Sequence, residues 1–159
     1  MERKSFADMH CSVAQCLEVV GEWWSMLILR DVFFGVSRFD AFQDRLGISR
    51  NVLNQRLNKL VESGILTKKP YSQHPPRYDY RLTEKGRDLW PVLESMRQWG
   101  DRHAAPDGPP VLMRHTNCGQ ISTAVMTCSS CGEPLEARGM QAVAGPGAPD
   151  GCIPVAGRS

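Results

Sequence analysis

Two short stretches near the C-terminus have the spacing of metal ligands. His115-Thr116-Asn117-Cys118-Gly119 and Cys128-Ser129-Ser130-Cys131-Gly132 each set two candidate ligands three positions apart and follow them with a glycine. A tight turn of this kind aims both ligands and several backbone N–H groups at one ion, and the glycine takes the positive φ on which the turn ends. Three thiolates and one imidazole are the donor set of structural zinc, and four protein ligands leave no open position for catalysis. A unit spanning 111–137 is too short to bury a core of its own, a deficit that a metal ion remedies. The competing reading is a degenerate unit with free thiols. The stretch Ile121 to Met126 between the half-sites is short and fairly apolar, and is expected to be a hairpin.

A second constellation lies at 48–64. Leu53, Leu57, Leu60 and Val61 recur at helical spacing and define one apolar stripe. The opposite face carries Asn51, Asn54, Gln55 and Asn58, flanked by Arg50, Arg56 and Lys59, and the only acid of the segment, Glu62, comes near its end. A solvated helix face usually mixes acids with bases. Amide side chains make bidentate hydrogen bonds to adenine edges, and Arg does so to guanine. The pattern therefore reads as a DNA-recognition helix.

The elements that must position this helix can be read around it. Val13 to Val20 is helical and ends at Gly21; Trp23 to Phe34 is apolar nearly all round, as a central buried helix would be. Ser37 is expected to cap a third helix, with Asp40 three residues on, and Phe39, Phe42 and Leu46 form its inner face. Gly47 breaks it and Ser49 caps the recognition helix, so the order is helix, glycine turn, helix. Ile65 to Lys69 reads as one strand and Tyr78 to Leu82 as another, joined by a polar, proline-rich loop from Pro70 to Arg77. A hairpin directly after such a helix pair is a wing, and Lys68, Lys69 and Arg77 are placed to reach phosphate or an adjacent minor groove. Thr83 should cap a long helix reaching about His103, kinked at Pro91. Its apolar residues Leu89, Trp90, Val92, Leu93, Met96 and Trp99 exceed what one small core needs and suit a second subunit, with simple core packing as the alternative.

Composition narrows the class. The chain has 159 residues, 42% hydrophobic, and a net charge of only +2, so bulk charge says little about partners. Between Ser49 and Arg87, however, nine Lys/Arg face three acids, a basic stripe that attracts phosphate. No apolar run is long enough for a membrane span and the first residues lack a signal-peptide core, so a cytoplasmic protein with thiols rather than disulfides is expected. There is no glycine-rich phosphate loop, no His-Glu-x2-His and no Gly-x-Ser-x-Gly, which argues against an enzyme.

An ordered run of motifs carries a family resemblance. Cys11 precedes the first helix. Gly21-Glu22-Trp23-Trp24, Leu27-Ile28-Leu29-Arg30-Asp31, Arg38-Phe39-Asp40-Ala41-Phe42, Gly47-Ile48-Ser49 and Asn54-Gln55-Arg56-Leu57 come next. Tyr71, Pro75-Pro76-Arg77-Tyr78-Asp79-Tyr80-Arg81-Leu82-Thr83, Pro91-Val92-Leu93 and Trp99-Gly100 complete the run. On these residues 11–103 resembles the HxlR-type winged helix-turn-helix regulators, relatives of the MarR family. The resemblance implies a homodimeric bacterial transcription regulator on double-stranded DNA, reading a pseudo-palindromic operator with half-sites about one helical turn apart, ~34–36 Å. The expected DNA-contacting residues are Arg38, Ser49, Arg50, Asn51, Asn54, Gln55, Asn58, Lys68, Lys69 and Arg77. Arg56 flanks the apolar stripe and has the alternative of holding an acid inside the domain.

The expected fold class is thus mainly α with a small β-hairpin: a winged helix-turn-helix at 11–103, a linker at 104–110, a zinc-ribbon-like unit at 111–137 and a disordered tail at 138–159. Some HxlR-type proteins sense oxidants through a cysteine at the place of Cys11. The resemblance therefore implies a candidate redox thiol near a helix N-terminus, set against a half-buried residue in a dimer interface. The alternative function is a regulator that switches through Cys11 or the zinc site. A zinc-dependent adaptor without DNA binding is a further reading, disfavoured by the composition of the recognition helix. Cys16 should pack in its helix, and Cys152 should have no specific role. Trp23, Trp24, Met26, Phe33 and Phe34 could line a small-molecule effector pocket, although burial ranking favours plain core.

Overall fold

In the computed structural model, which describes residues 5–149, the apolar stripe of the recognition segment is the floor of the core. Helix α4 (Arg50–Glu62) buries Leu53, Leu57 and Leu60 completely. Above it lie Ile28, Leu29 and Val32 of α2 (Trp23–Phe33) and Phe42 of α3 (Phe39–Leu46). Val20 of α1 (Ser12–Val20) and Ile65, Leu66 and Tyr80 of the hairpin close the cluster. The turn between α3 and α4 depends on Gly47 at φ 65°, a left-handed conformation that costs glycine nothing. Ser49 then caps α4 by accepting a hydrogen bond from the Val52 N–H.

Several sequence expectations change. Ser37 does not cap α3: Arg38 is the N-cap residue, with no side-chain cap bond, and the Ser37 hydroxyl donates instead to Asp79 at 3.3 Å. Helix α2 is central but not apolar all round. Trp23 is 87% exposed, whereas Ser25 and Asp31 are fully buried. The Asp31 carboxylate accepts from the guanidinium groups of Arg30 and Arg45, the latter at 3.1 Å, so the buried charge is paired across α2 and α3. That pairing raises the Arg45 pKa, through the hydrogen bond first and then the charge. The plain-core reading of the aromatic set also fails in part, since Phe34 is exposed like Trp23, while Trp24 and Met26 pack on the core.

The wing is longer than expected. Strands β1 (Leu66–Gln73) and β2 (Pro76–Leu82) pair antiparallel from Leu66↔Leu82 to Gln73↔Pro76, so the expected loop of Pro70 to Arg77 is mostly strand. A register shift between Pro70 and Ser72 leaves Tyr71 without a cross-strand partner, a bulge that accommodates the proline. The base of the hairpin is tied back to the α2–α3 connection by the Tyr80 N–H donating to the Ser37 carbonyl and by an Arg38↔Asp79 bridge.

The long helix after Thr83 is two helices. Thr83 caps α5 (Glu84–Arg87) by accepting from the Gly86 N–H, and α6 (Trp90–His103) starts afresh. Pro91 sits in the first turn of α6, where its missing N–H costs nothing, so it starts a helix and does not kink one. Gly86 is required by close approach: a Cβ there would lie 2.2 Å from the Ile65 carbonyl oxygen. The chain divides into two compact units, Met1–Glu94 and Ser95–Ser159. Residues 138–149 are exposed, with one 3-10 turn at Ala137–Gly139; the rest of the expected tail and Cys152 lie outside the described residues. Among the described residues no helix is long and apolar enough to cross a membrane.

Candidate nucleic-acid interface

The polar face of α4 and the inner face of the wing enclose one open groove of about 620 Å³. Arg50, Asn51, Asn54 and Asn58 line it from α4, and Lys68, Arg77 and Tyr78 line it from the hairpin. The α4 positions follow from the helical repeat. Burying Leu53, Leu57 and Leu60 leaves 51, 54 and 58 on the opposite side. Asn51, Asn54 and Gln55 are exposed and, among the described residues, their amides make no hydrogen bond within the protein. Such amides are solvated and can exchange water for base edges without breaking an internal bond.

The basic groups are held to different degrees. Arg50 stacks 4.9 Å over the Phe39 ring and donates to Gln43 at 3.3 Å and to Asp40 at 3.5 Å. Both Arg50 and Asp40 are exposed, so this pair is weak and easily exchanged for phosphate. Arg38 lies 3.6 Å from the Asp79 carboxylate and 4.8 Å over the Tyr71 ring. It links the helix pair to the wing and does not line the groove. The Lys68 ammonium sits 5.1 Å over the Tyr78 ring, which shields neither its charge nor its access. Lys69 and Arg77 are exposed and form no ion pair among the described residues. Gln55, Ser49 and Lys69 stand outside the groove lining, Ser49 because its hydroxyl is used as the cap.

Arg56 takes the second of its two readings. Its guanidinium is 3.2 Å from Glu22 and half-buried, so it joins α4 to the start of α2. Sequence reasoning missed Tyr71, Tyr78 and Asp79, which set the wing wall. Alternation marked the tyrosines as strand residues, but nothing in the sequence placed the bulge that turns Tyr71 towards Arg38. Tyr80 lies beneath the groove with its ring edge-on to Phe42, and burial pushes its phenol above the usual range.

The cysteine positions can be described unit by unit. Cys11 is the N-cap residue of α1 and is exposed; Cys16 is half-buried against the core. In the second unit His115 Nδ1 is 3.3 Å from Cys118 Sγ. The Cys128 thiol lies below its ordinary range, chiefly because the Cys131 backbone N–H and then the Ser130 N–H donate to its sulfur. Each pair of candidate ligands is closed on itself. Among the described residues no three His, Cys, Asp or Glu side chains gather as one metal-ready group. The segment between the pairs is not a hairpin; each pair instead tops its own antiparallel bridge, Arg114↔Ile121 and Thr127↔Pro134.

Comparison with known proteins gives a consistent result. The model of the HxlR-like helix-turn-helix family matches residues 19–107. The uncharacterized HTH-type transcriptional regulator Rv3095 of Mycobacterium tuberculosis is 47% identical over 137 residues, covering 86% of this chain and 87% of its own. The crystal structure of PA1607, a transcription-factor candidate, superposes with a TM-score of 0.77 at 40% identity, covering 87% of this chain and 97% of that one. The redox regulator HypR in its oxidized form has a TM-score of 0.54 at 33% identity, over 58% of this chain and 97% of its own.

Proposed function

This chain belongs to the HxlR-like helix-turn-helix family and is a DNA-binding transcription regulator, and from that premise we propose that it reads an inverted-repeat operator as a homodimer. In this reading α4 enters the major groove. Asn51, Asn54 and Asn58 face base edges, with Gln55 at the margin, while Arg50, Lys68, Lys69 and Arg77 meet phosphate. Arg38 acts by holding the wing. Ser49 orients the N-terminus of α4, whose free N–H groups also favour a phosphate. The observation that carries the reading is the convergence on one groove of amides and wing cations that, among the described residues, have no hydrogen-bond or ion-pair partner within the protein.

Dimerisation is supported by apolar surface that the single chain leaves open. On α6 Val92, Met96 and Trp99 are exposed; on α1 Val13 and Leu17 are, and Trp23 begins α2 almost wholly bare. Surface of this kind is costly in water and is normally covered. The protein acts as a binding module and not as an enzyme, and works where the chromosome is, in the cytoplasm.

Selection of bound sequences from a random duplex pool at near-physiological salt tests the proposal. An enriched inverted repeat with half-sites about ten base pairs apart is expected. A folded protein that enriches no motif would overturn it.

Redox control of this activity is a second reading, favoured by one observation. Cys11 is an exposed thiol at the N-cap position of α1. The likeness to HypR, a redox regulator, points the same way. Operator affinity should then fall or rise with oxidant in the parent but not in Cys11→Ser; identical behaviour of the two would exclude Cys11 as the switch.

A further inference from the structure

We propose that His115, Cys118, Cys128 and Cys131 bind one structural zinc ion, which draws the two turns into a single four-ligand site. The first observation is a backbone repeat. Three bonds, His115 N–H to the Gln120 carbonyl, Gly119 N–H to His115 and Ser122 N–H to Met113, recur thirteen residues on, between Cys128 and Glu133, Gly132 and Cys128, and Leu135 and Met126. The glycines share a left-handed conformation, φ 71° and 77°. The two copies share little sequence beyond the ligand positions, that glycine and a methionine, so the common backbone serves the ligands.

The second observation is geometric. A tetrahedral ion with Zn–S of about 2.3 Å and Zn–N of about 2.0 Å holds a sulfur and a nitrogen about 3.5 Å apart. His115 Nδ1 and Cys118 Sγ already stand 3.3 Å apart. In the other turn the equivalent backbone bonds, Gly132 N–H to the Cys128 carbonyl and Cys128 N–H to the Glu133 carbonyl, hold Cys128 and Cys131 at the same spacing.

The third observation is what else holds this unit, which is little. Leu112, Ile121, Val125 and Met126 are exposed, so among the described residues no apolar core fixes the two turns. The Gln98 amide donates to the Ala124 carbonyl and Arg97 to the Val111 carbonyl, which tethers the unit to the second half of α6 without ordering its interior. One turn offers two donors, whereas structural zinc takes four. An ion seated in either turn therefore stays under-coordinated until the other turn closes on it, and the irregular segment between them resists that closure weakly. Binding deprotonates the three thiols, releases their protons to solvent, and leaves a site of net charge −1. The soft three-sulfur, one-nitrogen set favours zinc over magnesium or calcium.

The test uses the full chain, purified under reductant and titrated with Zn²⁺ or Co²⁺ alone. One ion per chain is expected, with Co²⁺ giving thiolate charge-transfer absorption and the intense visible bands of a tetrahedral site. His115→Ala, Cys118→Ser, Cys128→Ser and Cys131→Ser should each weaken Co²⁺ binding about tenfold or more, while the circular dichroism and thermal unfolding of the helical unit stay at parent values. Any of three results overturns the proposal. The reduced, folded chain takes up no metal; His115→Ala and Cys118→Ser bind as the parent does; or sedimentation shows the ion bound only between two chains.

Discussion

The winged-helix unit and the 111–137 segment are made of the same twenty building blocks but are ordered by different forces. In the first, Ile28, Leu29, Phe42, Leu53, Leu57 and Leu60 are wholly excluded from water. In the second, Val125 is 77% exposed and Leu112 62%, and regularity comes from backbone hydrogen bonds around two turns. Where an apolar stripe repeats with helical period, burial decides the structure and the polar face is left free for function. Where no stripe exists, the spacing of a few chemically active side chains is the only long-range information available.

The contrast can be broken most severely by truncating one apolar side chain in each region. Leu57→Ala should cost about 2–5 kcal/mol in chemical unfolding, since it empties a fully buried site. Val125→Ala should change the same measurement by less than about 0.5 kcal/mol. Equal losses would mean that the second region hides a core. Next in size is a change on the free face of α4. Asn54→Ala should reduce discrimination at one operator position by about 1–3 kcal/mol in competition binding, with no change in thermal stability. A stability loss instead would place Asn54 in the frame and not on the reading face.

Two smaller effects sharpen the division between frame and face. Ser49→Ala removes the hydroxyl that accepts from the Val52 N–H and should cost about 1 kcal/mol of stability. Operator affinity should fall alongside, because the cap sets the start of α4. Lys68→Ala should leave stability and base preference unchanged while weakening binding to every duplex. Its salt slope should drop by about one. A sequence-dependent loss would make Lys68 a base reader.

Much of the first region was legible because its periodicities are strong. The stripe at 53, 57 and 60, the Gly47 turn and the Ser49 and Thr83 caps all follow from residue type and spacing, whereas the sequence left Arg56 between two readings and only its pairing with Glu22 chose one. The errors fall where tertiary contacts compete with local preference. Ser37 looked like a cap, but Asp79, 42 positions away in sequence, takes its hydroxyl. Pro91 looked like a kink inside a helix, but a break at Asp88 and Leu89 lets the proline start a new one. Asp31 stood in an apolar helix with no local sign that two arginines would allow its burial. Within the groove, the α4 amides were read from one helix alone. The wall opposite them needed the bulge at Tyr71 and the Arg38 tie to Asp79.

The sequence by itself determined which residues could be inside, which helix carried the free amides, where that helix begins, and which four side chains had ligand spacing. These are properties of short stretches, set by side-chain chemistry and by the periods of helix and strand. Only the tertiary structure decided how the wing leans on α4, which charges are neutralised within the chain and which stay open, and that Trp23 is left bare. Those outcomes depend on groups distant in the chain meeting in space. Their energies are differences between competing partners, and no local pattern encodes which partner wins.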